Sequence, residues 1–94
     1  MPPSAQDLPL GHSTDSETPI RSSEELGAVI REQRKRLALK QLDLAGLGNT
    51  GNRFIVDLEN GKPTVQLQKV LDLMDLLGLE VVVRTKASRS TSSL

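Results

Sequence analysis

Four side chains at positions 52, 53, 56 and 57 carry the chemistry needed to read the edges of base pairs. Asn52 can form a bidentate pair with adenine, and Arg53 can do so with guanine or bond a phosphate. Val56 can meet a thymine methyl. Asp57 can accept from a cytosine amine, or instead orient Arg53 one helical turn earlier. At about 100° per residue these positions and Asn60 share one arc of a helix, Asn52 to Asn60. Phe54, Ile55 and Leu58 share the opposite arc. Only the arc follows from spacing; the individual base contacts are expectations. Phe54 is the single aromatic residue and lies on the inner arc, which assigns it to the core. One aromatic gives no platform for stacking single strands.

A second set of residues has phosphate chemistry. Gln41 opens the preceding helical segment, where free N–H groups and the positive dipole end suit an anion. Arg31, Arg34, Lys35, Arg36 and Lys40 cluster ahead of it, with Lys62 and Thr64 beyond the reading helix. The chain carries 12 basic and 12 acidic residues, a formal net charge of zero. The acidic residues, however, dominate Met1 to Glu25, and basic ones prevail from Leu26 onward. A neutral chain can therefore present a basic face.

Catalytic chemistry finds little support. There is no cysteine, so no thiolate metal site or cysteine nucleophile exists. The one histidine, His12, lies in the Pro- and Ser-rich N-terminal stretch and reads as solvated. Asp72 and Asp75 alternate with an apolar stripe and read as solvated. No metal constellation or Gly-rich phosphate loop following a strand occurs. The expectation is a protein that is not an enzyme and carries no cofactor or metal.

The elements that position these residues follow from the pattern. Ser22-Ser23-Glu24-Glu25 is a capping-box start for a first helix, with Leu26, Val29, Ile30, Gln33 and Leu37 at helical spacing. Leu39 joins the core between helices one and two. Gln41 to Leu47 carries Leu42, Leu44, Ala45 and Leu47 around most of its circumference, which predicts a helix buried on most sides. Gly48-Asn49-Thr50-Gly51 follows, and Gly and Asn tolerate the positive φ of a sharp turn. A buried helix, such a turn and a two-faced helix form a helix-turn-helix. Pro63 then prevents a continuous helix from Asn60. A fourth helix places Leu67, Val70, Leu71, Met74 and Leu77 on one stripe, with Leu73 and Leu76 off it, and Gly78 as its C′ residue. The surplus apolar surface predicts a second contact.

Leu79 to Thr85 is β-branched and reads as a strand. A lone strand in a helical domain lacks a ladder partner. The same strand from a second copy, paired about a two-fold axis through Leu79, Val81, Val82, Val83 and Arg84, is the simplest one. The expected organisation is a disordered N-terminal arm (1–21), a DNA-binding domain (22–78), a dimerisation strand (79–86) and a disordered tail (87–94). With no apolar run of roughly 18 residues and no apolar signal segment, a cytoplasmic protein is expected.

The positions Gln41, Leu44-Ala45, Ile55 and Leu58-Glu59-Asn60-Gly61 resemble the Cro/phage-repressor (Xre) helix-turn-helix family. Within it, Arg53-Phe54-Ile55-Val56-Asp57-Leu58-Glu59, Gly61-Lys62-Pro63-Thr64-Val65 and Leu77-Gly78-Leu79 resemble the HipB-type antitoxins. Gly46, Gly48 and Thr50 depart from the usual pattern of helix formers and an aliphatic residue. The resemblance implies a mostly α, lambda-repressor-like bundle of four to five helices. It also implies a short C-terminal strand swapped across a homodimer. Arg34 would pair with Glu59 and approach the DNA backbone, and Gln41 would bond a phosphate. The implied phosphate set is Arg34, Lys40, Gln41, Asn60, Lys62 and Thr64. The implied function is a bacterial, nucleoid-associated repressor that binds palindromic operator DNA in its own toxin–antitoxin operon. It would also hold a HipA-type serine/threonine kinase toxin inactive. The alternative is a free-standing Xre-family repressor of a phage or restriction system, without a toxin.

Overall fold

A computed structural model of the chain describes residues 17–86. Four helices follow one another: α1 (Ser23–Arg36), α2 (Gln41–Leu47), α3 (Asn52–Glu59) and α4 (Leu67–Leu76). This is the mostly α helix-turn-helix bundle expected. Most of the proposed N-terminal arm and all of the proposed tail lie outside the described residues. Residues 17–21 have no regular secondary structure and are exposed.

Local chemistry explains each helix start and stop. The Ser22 hydroxyl accepts from the Glu25 N–H at 3.0 Å, capping α1. Glu25 reaches back to the N–H of Arg21, one residue before the position a capping box would use. Glu24 and Glu25 occupy the first turn of α1, and Arg34, Lys35 and Arg36 the last. Both sets complement the helix macrodipole. All four helices end in the same pair of backbone bonds, from C′ to C2 and from C″ to C3, the Schellman arrangement. For α3 these are Gly61 N–H to Leu58 and Lys62 N–H to Asp57. For α4 they are Gly78 to Asp75 and Leu79 to Met74. The C′ residues are Ala38, Asn49, Gly61 and Gly78, all at positive φ. Asn49 and the glycines tolerate that conformation, whereas Ala38 carries a Cβ into it.

The core draws on every helix: Ile30 from α1, Leu44 and Ala45 from α2, Ile55 and Leu58 from α3, and Val70, Leu73 and Met74 from α4, with Leu77 just after it. Leu26, Leu39, Phe54, Val65 and Leu79 pack against it. Each fully buried Leu or Ile contributes about 1.5–3 kcal/mol by leaving water. Gly27 lets α1 lie directly on the end of α3. A Cβ there would stand 2.4 Å from the Leu58 carbonyl oxygen and 2.7 Å from that of Glu59.

Two expectations are corrected. The first is that α2 is buried on most sides. In the structure Leu44 and Ala45 are buried, but Leu42 is 67% and Leu47 61% exposed. A domain this small has no second layer to cover the outer side of a seven-residue helix. The second concerns the α4 stripe, which is rotated. Leu73 is buried, whereas Leu67 is 68% exposed and Leu71 lies at the surface. The buried set 70, 73, 74, 77 is itself a helical i, i+3, i+4, i+7 series. Leu73 enters the space beside Gly48, where a Cβ would come within 2.4 Å of its Cδ2. That contact explains one of the glycines that depart from the family pattern.

The segment expected to be a strand has no regular secondary structure within the single chain. Leu79 is half-buried on the core, while Val81, Val82 and Val83 are exposed. Arg84 pairs with Glu17 at 3.1 Å. Among the described residues this segment has no ladder partner, and its backbone groups lie outside any sheet.

Candidate nucleic-acid interface

α3 is positioned from both ends. The turn after α2 is closed by the Asn49 N–H to Gly46 and the Thr50 N–H to Ala45. Ile55 and Leu58 face inward and are buried. Asn52, Arg53 and Asn60 are consequently exposed, and Val56 and Asp57 are half-buried on the same outer side. The structure thus brings all four expected base-reading residues onto one face.

The outer face has its own ionic order. Arg53 Nε donates to Asp57 Oδ1 at 3.1 Å. Lys62 Nζ lies 3.5 Å from Asp57 Oδ2. The Arg53 side chain is 87% exposed and that of Asp57 is 22% exposed, so the carboxylate sits behind the guanidinium. Phe54, beside them, is half-buried with Lys69 Nζ 5.7 Å from its ring centroid, a cation–π contact.

Behind this face lies a buried network. Arg34 Nε donates to Glu59 Oε2 at 2.6 Å and its Nη2 to Oε1 at 3.0 Å, a bidentate pair. Arg34 Nη1 donates to the Leu39 carbonyl at 2.8 Å, and Gln41 Nε2 to Glu59 Oε1 at 3.0 Å. This network clamps α1, the start of α2 and the end of α3 together. A polar cavity of about 420 Å³ opens over it, lined by Arg31, Arg34, Leu39, Lys40, Gln41, Glu59 and Asn60. Four of the six expected phosphate residues therefore share one concavity. Lys62 and Thr64 are exposed in the loop after α3. Arg34 itself is buried, with three donors engaged inside the protein.

Sequence reasoning placed Arg31 in the basic cluster but not in the implied phosphate set, and left Lys69 off the site. Arg31 precedes Arg34 by three residues, hence by one helical turn, and that spacing was a usable signal. Lys69 reaches Phe54 only through the packing of α4 on α3, which no local pattern announces. Gln33, which shares the helical spacing of Leu26 and Ile30, donates from Nε2 to the Leu77 carbonyl at 2.8 Å and ties α1 to the end of α4. Among the described residues no group of three or more His, Cys, Asp or Glu could hold a metal ion, and no helix is long and apolar enough to cross a membrane.

No protein-family model matches the chain. It is 43% identical over 70 residues to an uncharacterised HTH-type transcriptional regulator, y4mF, of Sinorhizobium fredii (strain NBRC 101917 / NGR234). The match covers 74% of this chain and 92% of that relative. Among solved structures, the fold is similar to a HipA–HipB–O2–O3 complex and to a HipB–O4 20mer complex. Each aligns with a TM-score of 0.68 at 18% identity, over 74% of this chain and 99% of the matched chain. At that identity the likeness concerns the fold. The sequence relative, together with the helix-turn-helix geometry, shows that this chain belongs to the HTH-type transcriptional regulators and not to the enzymes.

Proposed function

We propose that this chain is a sequence-specific, operator-binding repressor that works as a cytoplasmic, nucleoid-associated homodimer. The observation that carries this reading is the exposed outer face of α3, with Asn52, Arg53, Val56 and Asp57 on one side of a rigidly held helix. A helix of this kind fits the major groove of B-DNA. Lys40, Gln41, Asn60, Lys62 and Thr64 flank that face and act on the phosphate backbone. Arg34 supports them from the floor of the cavity. Such contacts supply affinity and a steep salt dependence.

The dimer reading rests on apolar side chains left exposed on and after α4. Leu67 and Leu76 on α4, and Val81, Val82 and Val83 after it, are all more than half exposed. Pairing Leu79 to Arg84 with the same segment of a second copy would satisfy its backbone and cover these side chains. A two-fold dimer binds a palindromic site, with half-sites one or two helical turns apart, about 34 Å per turn.

The finer role is that of an antitoxin: repression of its own toxin–antitoxin operon and neutralisation of a HipA-type serine/threonine kinase. The fold shared with a chain of the HipA–HipB–O2–O3 complex supports it. The free-standing repressor is the second reading, favoured by the sequence relative, an HTH-type transcriptional regulator. A pull-down of tagged full-length chain from its native cell, identifying both protein and DNA, separates the two. Recovery of a HipA-like kinase with the protein's own promoter is expected. Recovery of DNA alone would replace the antitoxin by a free-standing repressor. Protein partners without DNA would refute operator binding by α3.

A further inference from the structure

Asp57 lies on the face that reads bases, yet its geometry suits a different task. Both of its oxygens already face cations: Oδ1 accepts from Arg53 Nε at 3.1 Å, and Oδ2 lies 3.5 Å from Lys62 Nζ. Its side chain is only 22% exposed, while that of Arg53 stands out at 87%. A short carboxylate set behind a long guanidinium reaches a base edge only after Arg53 moves aside. We infer that Asp57 is a positioning residue, one that aims Arg53 at a guanine and couples it to Lys62 rather than reading a base itself. This rests on the reading of α3 as a DNA-recognition helix.

The chemistry follows from which nitrogen is engaged. Asp57 holds Nε, and the two terminal amino groups of Arg53 make no hydrogen bond among the described residues on a side chain that is 87% exposed. Those groups form the fork that pairs bidentately with guanine O6 and N7. An arginine restrained in this way has less rotamer freedom to lose on binding. Lys62 is the C″ residue of α3, its N–H bonded to the Asp57 carbonyl at 2.9 Å. A phosphate contact at Lys62 and a base contact at Arg53 therefore share one carboxylate. The same carboxylate is a negative charge facing the duplex, so it lowers general affinity while raising selectivity.

The two effects oppose one another, and that opposition makes the inference testable. The full-length wild-type chain selects its preferred duplex from a randomised library. Binding of Arg53→Ala, Asp57→Ala, Asp57→Asn and the Arg53→Ala/Asp57→Ala double variant is then measured on that duplex, on its single-base-pair variants and on a random duplex. Arg53→Ala and Asp57→Ala should both lose discrimination at the same base pair, about tenfold or more for Arg53→Ala. The double variant should discriminate no worse than Arg53→Ala alone. Asp57→Asn, which keeps an acceptor for Nε, should restore part of the discrimination. Asp57→Ala should also bind the random duplex more tightly than wild type. Loss of discrimination at a different base pair, or losses that add in the double variant, would show Asp57 reading its own base and overturn the inference. A wild-type chain that enriches no sequence would overturn the DNA-recognition reading of α3, and this assignment with it.

Discussion

Asp57 and Glu59 lie two residues apart on α3, and each accepts from an arginine. Their surroundings differ completely. The Glu59 side chain is 1% exposed and takes three donors, two from Arg34 and one from Gln41. The Asp57 side chain is 22% exposed and faces an arginine that is almost wholly in water. Two positions along a helix amount to about 200° of rotation, enough to turn one carboxylate into the protein and the other outward. The buried pair fixes where α3 sits, and the outer pair bears on what α3 does. A short helix can combine both tasks because its two arcs answer to different partners.

The sharpest way to break this comparison is to remove Glu59. Glu59→Ala leaves the Arg34 guanidinium buried without its carboxylate, and losing one partner of a buried pair costs about 3–5 kcal/mol. For a domain of this size that is a large share of total stability. Thermal or urea unfolding should show a severely destabilised or unfolded variant. Asp57→Ala, by contrast, should unfold within about 0.5 kcal/mol of wild type, as exposed pairs do. Equal effects at the two positions would erase the distinction between them.

A smaller effect is expected at Gly27, on the opposite side of the same junction. Gly27→Ala places a methyl 2.4 Å from the Leu58 carbonyl oxygen, a backbone atom that cannot rotate away. The helices must separate, at a cost of about 1–3 kcal/mol in line with other overpacked contacts. The separation falls where α1 meets Glu59, so the variant should also weaken operator binding at temperatures where it is still folded. Titration of operator duplex against folded Gly27→Ala, beside wild type, checks this. Unchanged stability would mean that α1 can slide on α3 and that the clamp is looser than its hydrogen bonds suggest.

The parts of this arrangement that could be read from sequence are those set by local rules. The Gly48–Gly51 turn, the two arcs of α3 and the Ser22 cap each depend on a few neighbouring residues. So does the halt before α4, which Pro63 imposes. The Arg34–Glu59 pair joins residues 25 apart. It was legible only through the resemblance, since spacing cannot bring α1 to α3. The misread positions are those decided by what lies across from them. Leu67 and Leu73 are alike in type, and the free space beside Gly48 determines which is buried. Leu42 and Leu47 match a buried helix in composition, but no layer faces them. The C-terminal valines are β-formers that have no ladder partner among the described residues.

Ala38 offers the finest adjustment of the comparison. It is the C′ residue of α1, at φ 60°, in a role that Gly61 and Gly78 fill in α3 and α4. The left-handed turn at Ala38 presents the Leu39 carbonyl to Arg34, 2.8 Å from Nη1. Arg34 thereby gains a third acceptor, whereas among the described residues the side chain of Arg53 donates only to Asp57. An alanine in this conformation costs about 1–2 kcal/mol. Replacing it by glycine removes that strain but frees the unfolded chain, an opposing effect of about 0.4–1 kcal/mol. Relief of strain outweighs the added chain freedom, so Ala38→Gly should stabilise the domain by about 0.5–1 kcal/mol. In a domain of this size that raises the melting temperature by about 2–8 °C. Operator affinity should stay unchanged, because the Leu39 carbonyl keeps its place under Arg34. A lower melting temperature would mean that the rigidity of alanine, not its strain, governs this turn. The buried pair would then depend on a stiff α1–α2 connection, a requirement the outer Arg53–Asp57 pair does not share.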